Sequence, residues 1–280
     1  MKVCFYFQVH QPMRLAPFSG FAPADGEGEM FTRYFNHDLN RQILEKVATK
    51  CYLPANRLLL ELLEKHPELK ISFSTTGVFL EQARLYMPEV VESFAALGRT
   101  GRVEFLSETY YHSLSSLFTE QTEFEAQVKL HEAAISPFCS KPSVFRNTEA
   151  MFSNDIAYWA ECMGYKGIMA EGLDQMLGWR SPTYVYSVKN CSKIRALLRH
   201  YKLSDDIGYR FSQKSWNEWP LTAPKYARWL ADTPGDCTNL FMDYETFGEH
   251  HWEDTGIFNF LRALPGEILG IGLDVGVVPI

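Results

Sequence analysis

The stretch Thr238–Gly256, TNLFMDYETFGEHHWEDTG, changes character at the point where a buried strand would end. Residues 239–242 are mostly apolar. A dense series of acids, histidines and aromatics then follows: Asp243, Tyr244, Glu245, Glu249, His250, His251, Trp252, Glu253 and Asp254. In parallel α/β folds the functional groups collect at the carboxyl ends of the strands. The stretch therefore predicts a strand of a parallel sheet with a functional site at its end.

The rest of the sequence alternates short apolar β-rich runs with helical patterns. The predicted strands are residues 3–9, 70–74, 103–106, 143–146, 167–169, 194–198 and 240–243. The predicted helices are residues 54–65, 78–97 with a break near Pro88, 120–135, 154–163 and 223–231. Such alternation indicates a mainly parallel sheet, open or closed. Seven strands suit a closed barrel better than an open sheet.

Composition and charge restrict the classes of partner. The chain has 280 residues, of which 46% are hydrophobic, enough to bury a large core. Its net charge is −7 and it has no basic run, which argues against nucleic acid and anionic membranes as partners. No apolar segment approaches the roughly 20 residues that span a bilayer. The amino-terminal apolar run stops at His10, too short for a secretion signal, so we expect a cytoplasmic protein.

The cysteines are scattered and form no CxxC pair, which predicts buried free thiols rather than a disulfide framework or a cysteine zinc site. They are Cys4, Cys51, Cys139, Cys162, Cys191 and Cys237.

Polar residues follow almost every predicted strand. The strand-end groups include His10-Gln11-Pro12, Ser74–Gly77, Glu108 with Tyr110-Tyr111-His112, Asn147-Thr148-Glu149, Glu171 and Asp243. Because parallel strands open on one face, we expect these groups to converge although they are far apart in the sequence.

Two carboxylates, Glu149 and Asp243, each end an apolar strand among aromatic residues. Paired carboxylates in such a cleft are what cleavage of a glycosidic bond requires, one as nucleophile and one as general acid and base. A separation of roughly 5–5.5 Å predicts retention of anomeric configuration, and roughly 6.5–9.5 Å predicts inversion. The alternative is structural: Glu149 caps the following helix, and Asp243 pairs with Arg146 or another base.

The histidines offer two further interpretations. His10 with Gln11, together with His112 and His250, could hydrogen-bond sugar hydroxyls. His10, His112, Asp243 and His250 could instead form a zinc site with an open position. The sequence has no HExxH pair and no local ligand spacing, so we predict neither a metal nor another cofactor.

Two longer segments also combine acids with aromatics. Leu106–Phe118, which contains Glu108 and His112, is predicted to contact substrate, or else to form a partly buried aromatic patch. Ser204–Pro220, which contains Trp216, is predicted to form an acceptor-side wall, or else an internal Asp–Arg pair with packed indoles.

Four of these segments resemble, in order, four of the five sequence regions of glycoside hydrolase family 57, and its α-amylase-like branch most closely. They are HQP, VEFLSETYYHSL, VFRNTEAMFSNDIA and FMDYETFGEHHW. The likeness extends from His10 to about Leu269. It implies a distorted (β/α)7 barrel of mainly parallel strands, and a cofactor-free enzyme that acts on α-glucans or maltooligosaccharides by retaining double displacement.

The resemblance also assigns residues. Glu149 matches the nucleophile and Asp243 the acid/base, and His10 and His112 match positions that line the donor sugar subsite. The further predicted substrate-binding residues are Gln11, Glu108, Glu245, His250, Trp252 and Trp216. Within the stretch quoted first, Tyr244 and Trp252 would lower the polarity around Asp243, while Glu245 and His250 would fix its orientation.

The resemblance predicts a catalytic barrel over residues 1–269 and a short tail over 270–280. The family's C-terminal helical domain, which carries the fifth region, would be short or missing. Two other interpretations stay open: a weak or inactive α-glucan-binding homologue, and a metal-dependent deacetylase or mannosidase-like enzyme on a related barrel. The sequence predicts neither the oligomeric state nor the balance between hydrolysis and transfer.

Overall fold

A computed structural model describes residues 1–17 and 34–276. The strands are β1 (Lys2–Val9), β2 (Ile71–Thr75), β3 (Val103–Phe105), β4 (Val144–Arg146), β5 (Gly167–Glu171), β6 (Tyr186–Ser187), β7 (Arg195–Arg199), β8 (Cys237–Asp243) and β9 (Asp274–Val275). The helices are α1 (His37–Val47), α2 (Leu53–Lys65), α3 (Gly77–Tyr86), α4 (Pro88–Arg99), α5 (Thr122–Ile135), α6 (Asn154–Cys162), α7 (Asp174–Leu177), α8 (Tyr201–Gly208), α9 (Ala223–Asp232) and α10 (Ile257–Gly270).

Seven parallel strands of the described chain form a curled sheet in the order β3-β2-β1-β8-β7-β5-β4. The two edges meet through a parallel bridge between Ser107, just after β3, and Phe145 in β4. The Ser107 N–H donates to the Val144 carbonyl at 3.0 Å, and the Arg146 N–H donates to the Ser107 carbonyl at 2.8 Å. This closure confirms the predicted distorted (β/α)7 barrel.

Two short strands lie outside the barrel order. β6 pairs antiparallel with β7, and β9 pairs parallel with β1, Lys2 lying opposite Asp274. The predicted tail over 270–280 is therefore corrected in part, because Asp274–Val275 joins the barrel sheet instead of trailing from it. Residues 277–280 of that tail lie outside the described residues.

The alternation of side chains along β1 shows how the barrel is filled. Phe5 and Phe7 pack outward against the helices, while Tyr6 points inward with Phe241 and other apolar residues. Two-residue periodicity of this kind is what a closed sheet requires. Toward the carboxyl end the interior becomes polar: the Tyr6 hydroxyl donates to Oε1 of Gln8 at 2.9 Å. The predicted site at the carboxyl ends of the strands thus lies on a layer of polar side chains inside the barrel.

The predicted helices agree closely with the observed ones. Leu58, Leu59, Leu62 and Leu63 form a buried stripe on α2. The predicted break in residues 78–97 separates α3 from α4, with Pro88 in the first turn of α4, where no backbone N–H is needed. Four helices were not predicted: α1, α7, α8 and α10. An interior proline such as Pro265 disfavours a helix, but the apolar face of α10 is buried and outweighs that penalty.

All six cysteines are free thiols, as predicted, but only Cys4, Cys51 and Cys237 are buried; Cys139 and Cys191 are half-buried and Cys162 is exposed. Among the helices of residues 1–17 and 34–276, none combines the length and the apolar character needed to cross a bilayer.

The contact between α4 and the turn after α5 leaves no room for a side chain at Gly98. A Cβ there would lie 2.2 Å from the carbonyl oxygen of Phe138. We expect Gly98→Ala to lower the free energy of unfolding by about 1–3 kcal/mol through overpacking, as measured by denaturant titration. Gly270→Ala is the matched control, because a Cβ at this helical position would meet nothing within 4 Å and alanine favours a helix. Equal stability of the two variants would contradict this packing.

Candidate functional site

A cleft of about 310 Å³ opens at the carboxyl ends of β4, β5, β7 and β8. Glu149 and Asp243 both line it. The other lining residues are Arg146, Ala150, Glu171, Arg199, Asp205, Gly208, Tyr209, Phe241, Met242, Thr246 and His250. The two predicted catalytic carboxylates thus share one cavity, although β4 and β8 are distant in the sequence.

Glu149 stands on a tight turn directly after β4. Its backbone is left-handed, with φ 55°, and Ala150 follows with φ 53°. Non-glycine residues rarely adopt this conformation, and it is typical of functional sites. The turn is fixed by Asn147, whose Nδ2 donates to the Ser116 hydroxyl at 2.9 Å. Glu149 is not the cap of the next helix, because Ser153 caps α6. The helix-capping alternative is therefore wrong.

His112 joins Glu149 to a buried carboxylate. Its Nε2 lies 3.0 Å from Oε1 of Glu149, and its Nδ1 lies 3.4 Å from Oε2 of Glu108. The hydrogen bond from His112 is the largest cause that lowers the pKa of Glu149, and the positive charge of Arg146 adds to it. Glu149 is therefore ionised at neutral pH, as a nucleophile must be.

Glu108 is fully buried below His112, so its predicted contact with substrate is corrected to an indirect role through His112. Gln8 Nε2 donates to both oxygens of the Glu108 carboxylate, at 3.2 and 3.3 Å. Burial raises the pKa of Glu108, but His112, His131 and Arg146 outweigh it, so the pKa lies below its usual value. An ionised, fully hydrogen-bonded carboxylate holds the His112 ring in one orientation.

His10 packs beside this chain of groups. Its ring stacks on His112 with centroids 4.3 Å apart, and its Nδ1 lies 2.9 Å from the Thr76 hydroxyl. Burial, and then His112, lower the pKa of His10 to about 4. His10 is therefore a neutral imidazole at physiological pH.

Asp243 is exposed at the end of β8, opposite Gln8 of β1. Among the described residues Asp243 forms no ion pair, so the alternative that pairs it with Arg146 is wrong. The nearest carboxylate recorded for Arg146 is that of Glu108, whose Oε2 lies 3.9 Å from Nη1. The Asp243 carboxylate is thus free to meet a ligand in the cleft, with His250 on the same lining.

Glu245 and Gln11 lie below the cleft instead of on its surface, which corrects their predicted contact with substrate. The 3₁₀ turn Tyr244–Thr246 begins directly after β8 and turns Glu245 inward. Its carboxylate accepts a short hydrogen bond from the Tyr52 hydroxyl and one from Gln11 Nε2 at 3.4 Å. Burial raises the pKa of Glu245 to about 7, and the charge of Asp243 adds to this. Both residues support the turn that presents Asp243.

Tyr244 is also buried, in the outer core, where its hydroxyl donates to Oδ1 of Asn56 at 2.7 Å. It does not surround Asp243 as predicted.

The two tryptophans predicted to bind substrate lie elsewhere. Trp252 is 59% exposed and lines a separate groove of about 1050 Å³ beside α2 and α10, with Lys50 Nζ 4.7 Å from its ring centroid. The reversal at Gly248, with φ 113°, carries it away from the cleft. Trp216 packs against Trp229, with ring centroids 6.1 Å apart.

Trp216 also lies next to the ion pair between Asp206 and Arg210, with the Arg210 guanidinium 5.7 Å from the Trp216 ring. The alternative interpretation of Ser204–Pro220, an internal Asp–Arg pair with packed indoles, is therefore the one that the structure shows for Trp216. Asp205, Gly208 and Tyr209 of the same segment line the cleft.

Two arginines line the cleft but were not among the predicted site residues, Arg146 and Arg199. Each is the last residue of its strand, β4 and β7, so the strand-end criterion used for the acids would have found them. Arg199 donates to the Phe241 carbonyl at 2.9 Å and to the carboxylates of Glu171 at 3.2 Å and Asp205 at 2.5 Å.

Within residues 1–17 and 34–276, no group of three or more His, Cys, Asp or Glu side chains is arranged to hold a metal ion. The set His10, His112, Asp243 and His250 does not form such a group, since Glu108 and Glu149 engage both ring nitrogens of His112.

Comparison with known proteins agrees with this architecture. The sequence profile of glycosyl hydrolase family 57 matches residues 4–275. A Methanocaldococcus jannaschii protein named "Putative alpha-amylase" is 48% identical over 269 residues, covering 96% of this chain and 56% of that protein. The chain thus spans just over half the length of this relative.

Two solved structures share the fold. The 4-alpha-glucanotransferase of Thermococcus litoralis superposes with a TM-score of 0.67 at 15% identity, covering 100% of this chain and 40% of the other. The GH57-type branching enzyme of Pyrococcus horikoshii gives 0.68 at 14% identity, covering 99% of this chain and 69% of the other. At these identities the likeness shows the fold alone. The profile match over nearly the whole chain and the 48% identical relative show that this chain belongs to glycosyl hydrolase family 57.

Proposed function

We propose that this chain is the catalytic barrel of a retaining enzyme that cleaves α-glucosidic bonds, mainly α-1,4, in α-glucans or maltooligosaccharides. One observation carries the proposal: Glu149 and Asp243, from the ends of β4 and β8, line the same cleft. The names of the relatives, an alpha-amylase, a 4-alpha-glucanotransferase and a branching enzyme, support α-glucan as the substrate class.

In the first step, Asp243 donates a proton to the glycosidic oxygen while Glu149 attacks the anomeric carbon. The bond to the leaving sugar breaks, and a glycosyl ester forms on Glu149. The hydrogen bond from His112 and the lowered pKa of Glu149 favour its ionised form before attack. The left-handed turn and Asn147 hold the carboxylate over the cleft.

In the second step, Asp243 takes a proton from water or from a sugar hydroxyl. The resulting oxygen nucleophile attacks the anomeric carbon, the ester to Glu149 breaks, and the carboxylate of Glu149 is restored. Water gives hydrolysis, and a sugar gives transfer. Asp243 suits both proton transfers because it is exposed at the mouth of the barrel and has no ion-pair partner among the described residues.

Replacing the two carboxylates tests the proposal. We expect Glu149→Gln to lower the turnover of an aryl α-maltoside by at least about a thousandfold, because the covalent route is lost. Asp243→Asn should lower it by about a hundred- to ten-thousandfold through loss of the acid/base. Nitrophenol release measures both, and circular dichroism monitors folding. Glu253→Gln, an exposed acid outside the cleft, is the matched control and should retain wild-type turnover.

Trapping the covalent glycosyl-enzyme tests the role of Glu149 directly. A 5-fluoro-α-glucosyl fluoride should add one glycosyl mass to the peptide that contains Glu149 in the wild type and none in Glu149→Gln. Wild-type turnover in Glu149→Gln, or labelling of another acid, would reject the assignment. If the wild type binds maltooligosaccharides in calorimetry but turns over neither these nor the aryl glycoside, the chain is a binding homologue instead.

The contact between His112 and Glu149 predicts a pH effect. Glu149 must be ionised to attack, and its pKa is held down chiefly by the hydrogen bond from His112. In His112→Ala this cause is absent, so the pKa of Glu149 rises and the acid limb of kcat/KM moves to higher pH. The control is His66→Ala, since His66 follows α2 at the opposite end of the barrel. An acid limb that stays in place would show that His112 does not set the ionisation of Glu149.

A further inference from the structure

The strand order divides the barrel mouth into two sides. Going round from β4 to β8, one side passes β5 and β7, and the other passes β3, β2 and β1. The stacked rings of His10 and His112 occupy the second side, and neither residue lines the cleft. The open volume between Glu149 and Asp243 therefore lies over β5 and β7.

Two carboxylates are held in position on the β5–β7 side. The Arg199 guanidinium donates to Glu171 at 3.2 Å and to Asp205 at 2.5 Å, while its Nε donates to the Phe241 carbonyl. Each of the three guanidinium nitrogens of Arg199 thus has a partner, so Arg199 acts as a clamp. A carboxylate has about four lone-pair positions, so Glu171 and Asp205 keep acceptor capacity toward the cleft that both residues line.

Arg146 gives independent evidence that this side binds a polar ligand. It lines the cleft and is only 4% exposed, yet its Nε and Nη1 have no hydrogen-bond partner among the described residues. Buried donors are normally satisfied, and leaving one unpaired is costly. Arg146 and Arg199 both lie near the Phe241 ring, 5.2 and 5.7 Å from its centroid. The side therefore combines donors that lack a hydrogen-bond partner with fixed acceptors, at a cleft that Phe241 also lines, and such a set suits a polar ligand such as a sugar.

We propose that Arg146, Glu171, Asp205 and Phe241, with Arg199 as the positioning residue, form the subsite for the acceptor saccharide. This subsite determines how the enzyme partitions between transfer and hydrolysis. The inference rests on the proposed function, because it needs a glycosyl ester on Glu149.

The chemistry follows from the position of the subsite next to Asp243 on β8. A hydroxyl of the bound saccharide loses its proton to the Asp243 carboxylate and attacks the anomeric carbon. The carbon–oxygen bond to Glu149 breaks as the new glycosidic bond forms. Without hydrogen bonds from this subsite, a sugar has no advantage over water for the same position, so transfer falls relative to hydrolysis.

The test uses the isosteric variants Glu171→Gln and Asp205→Asn, with an aryl α-maltoside as donor and maltose as added acceptor. The readout is the ratio of transfer product to hydrolysis product by chromatography, which does not depend on how much glycosyl-enzyme forms. We expect each variant to lower the ratio by roughly tenfold, the effect of one lost charge-assisted hydrogen bond. Each variant is tested separately, so a folding defect in one leaves the other informative.

Asp206→Asn is the matched control. Asp206 follows Asp205 on α8 and also pairs with an arginine, Arg210 at 2.7 Å, but it does not line the cleft. The ratio should stay at the wild-type value in this variant. If the ratio instead falls equally in all three variants, the effect does not depend on whether the side chain lines the cleft, and the subsite assignment is overturned.

Two further outcomes separate the subsite from the proposed function. An unchanged ratio with a raised KM for the donor would mean that these residues bind the donor sugar, which overturns the acceptor assignment. A wild type that forms a glycosyl-enzyme but never transfers to maltose also overturns it and leaves the proposed function intact. Absence of any glycosyl-enzyme in the wild type overturns the proposed function and this inference with it.

Discussion

The contact between Glu149 and His112 depends on closure of the sheet. β3 and β4 are the first and last strands in the sheet order, and in an open sheet they would lie at opposite edges. The bridge at Ser107 brings them together, so the residue after β4 meets the loop after β3. Side chains reinforce this seam: the hydroxyls of Thr109 and Thr148 lie 2.8 Å apart, and the Tyr165 hydroxyl donates to Ser107 at 2.7 Å.

Below this bridge between β3 and β4, a series of side-chain hydrogen bonds extends from the barrel interior to the cleft. Gln8 hydrogen-bonds to Glu108, Glu108 to His112, and His112 to Glu149. The buried carboxylate of Glu108 accepts hydrogen bonds within this series, and a buried polar network whose groups are satisfied adds rigidity. Asp243 has a different support: the Tyr52–Glu245 hydrogen bond lies below it and fixes the turn instead of the carboxylate itself. The two catalytic candidates are thus held by independent networks.

The sequence predicted what depends on local pattern. Strand positions follow from apolar runs, and the strand-end rule identified Glu149, Glu171 and Asp243, which line one cleft. The strand-end rule failed where the direction of a side chain depends on the turn that follows the strand. The 3₁₀ turn after β8 buries Tyr244 and Glu245, and the reversal at Gly248 sends Trp252 to another face. The spacing of apolar residues in this segment indicates neither the 3₁₀ turn nor the reversal at Gly248. The Arg199 clamp was equally hidden, because its partners come from β5 and α8 and meet only after the barrel has formed.

The number of strands between Glu149 and Asp243 determines how the two proposed catalytic carboxylates face each other across the cleft that both line. Two strands, β5 and β7, separate β4 from β8 on one side, and three, β3, β2 and β1, separate them on the other. Neighbouring strands lie about 4.8 Å apart, so in a closed seven-stranded ring these two stand nearly opposite each other across the mouth. Adjacent strands would bring two negative charges into contact and raise the pKa of one. Opposite strands keep the two carboxylates out of direct contact, on facing sides of the cleft that both line. The strand order thus avoids a repulsion that would oppose ionisation of Glu149.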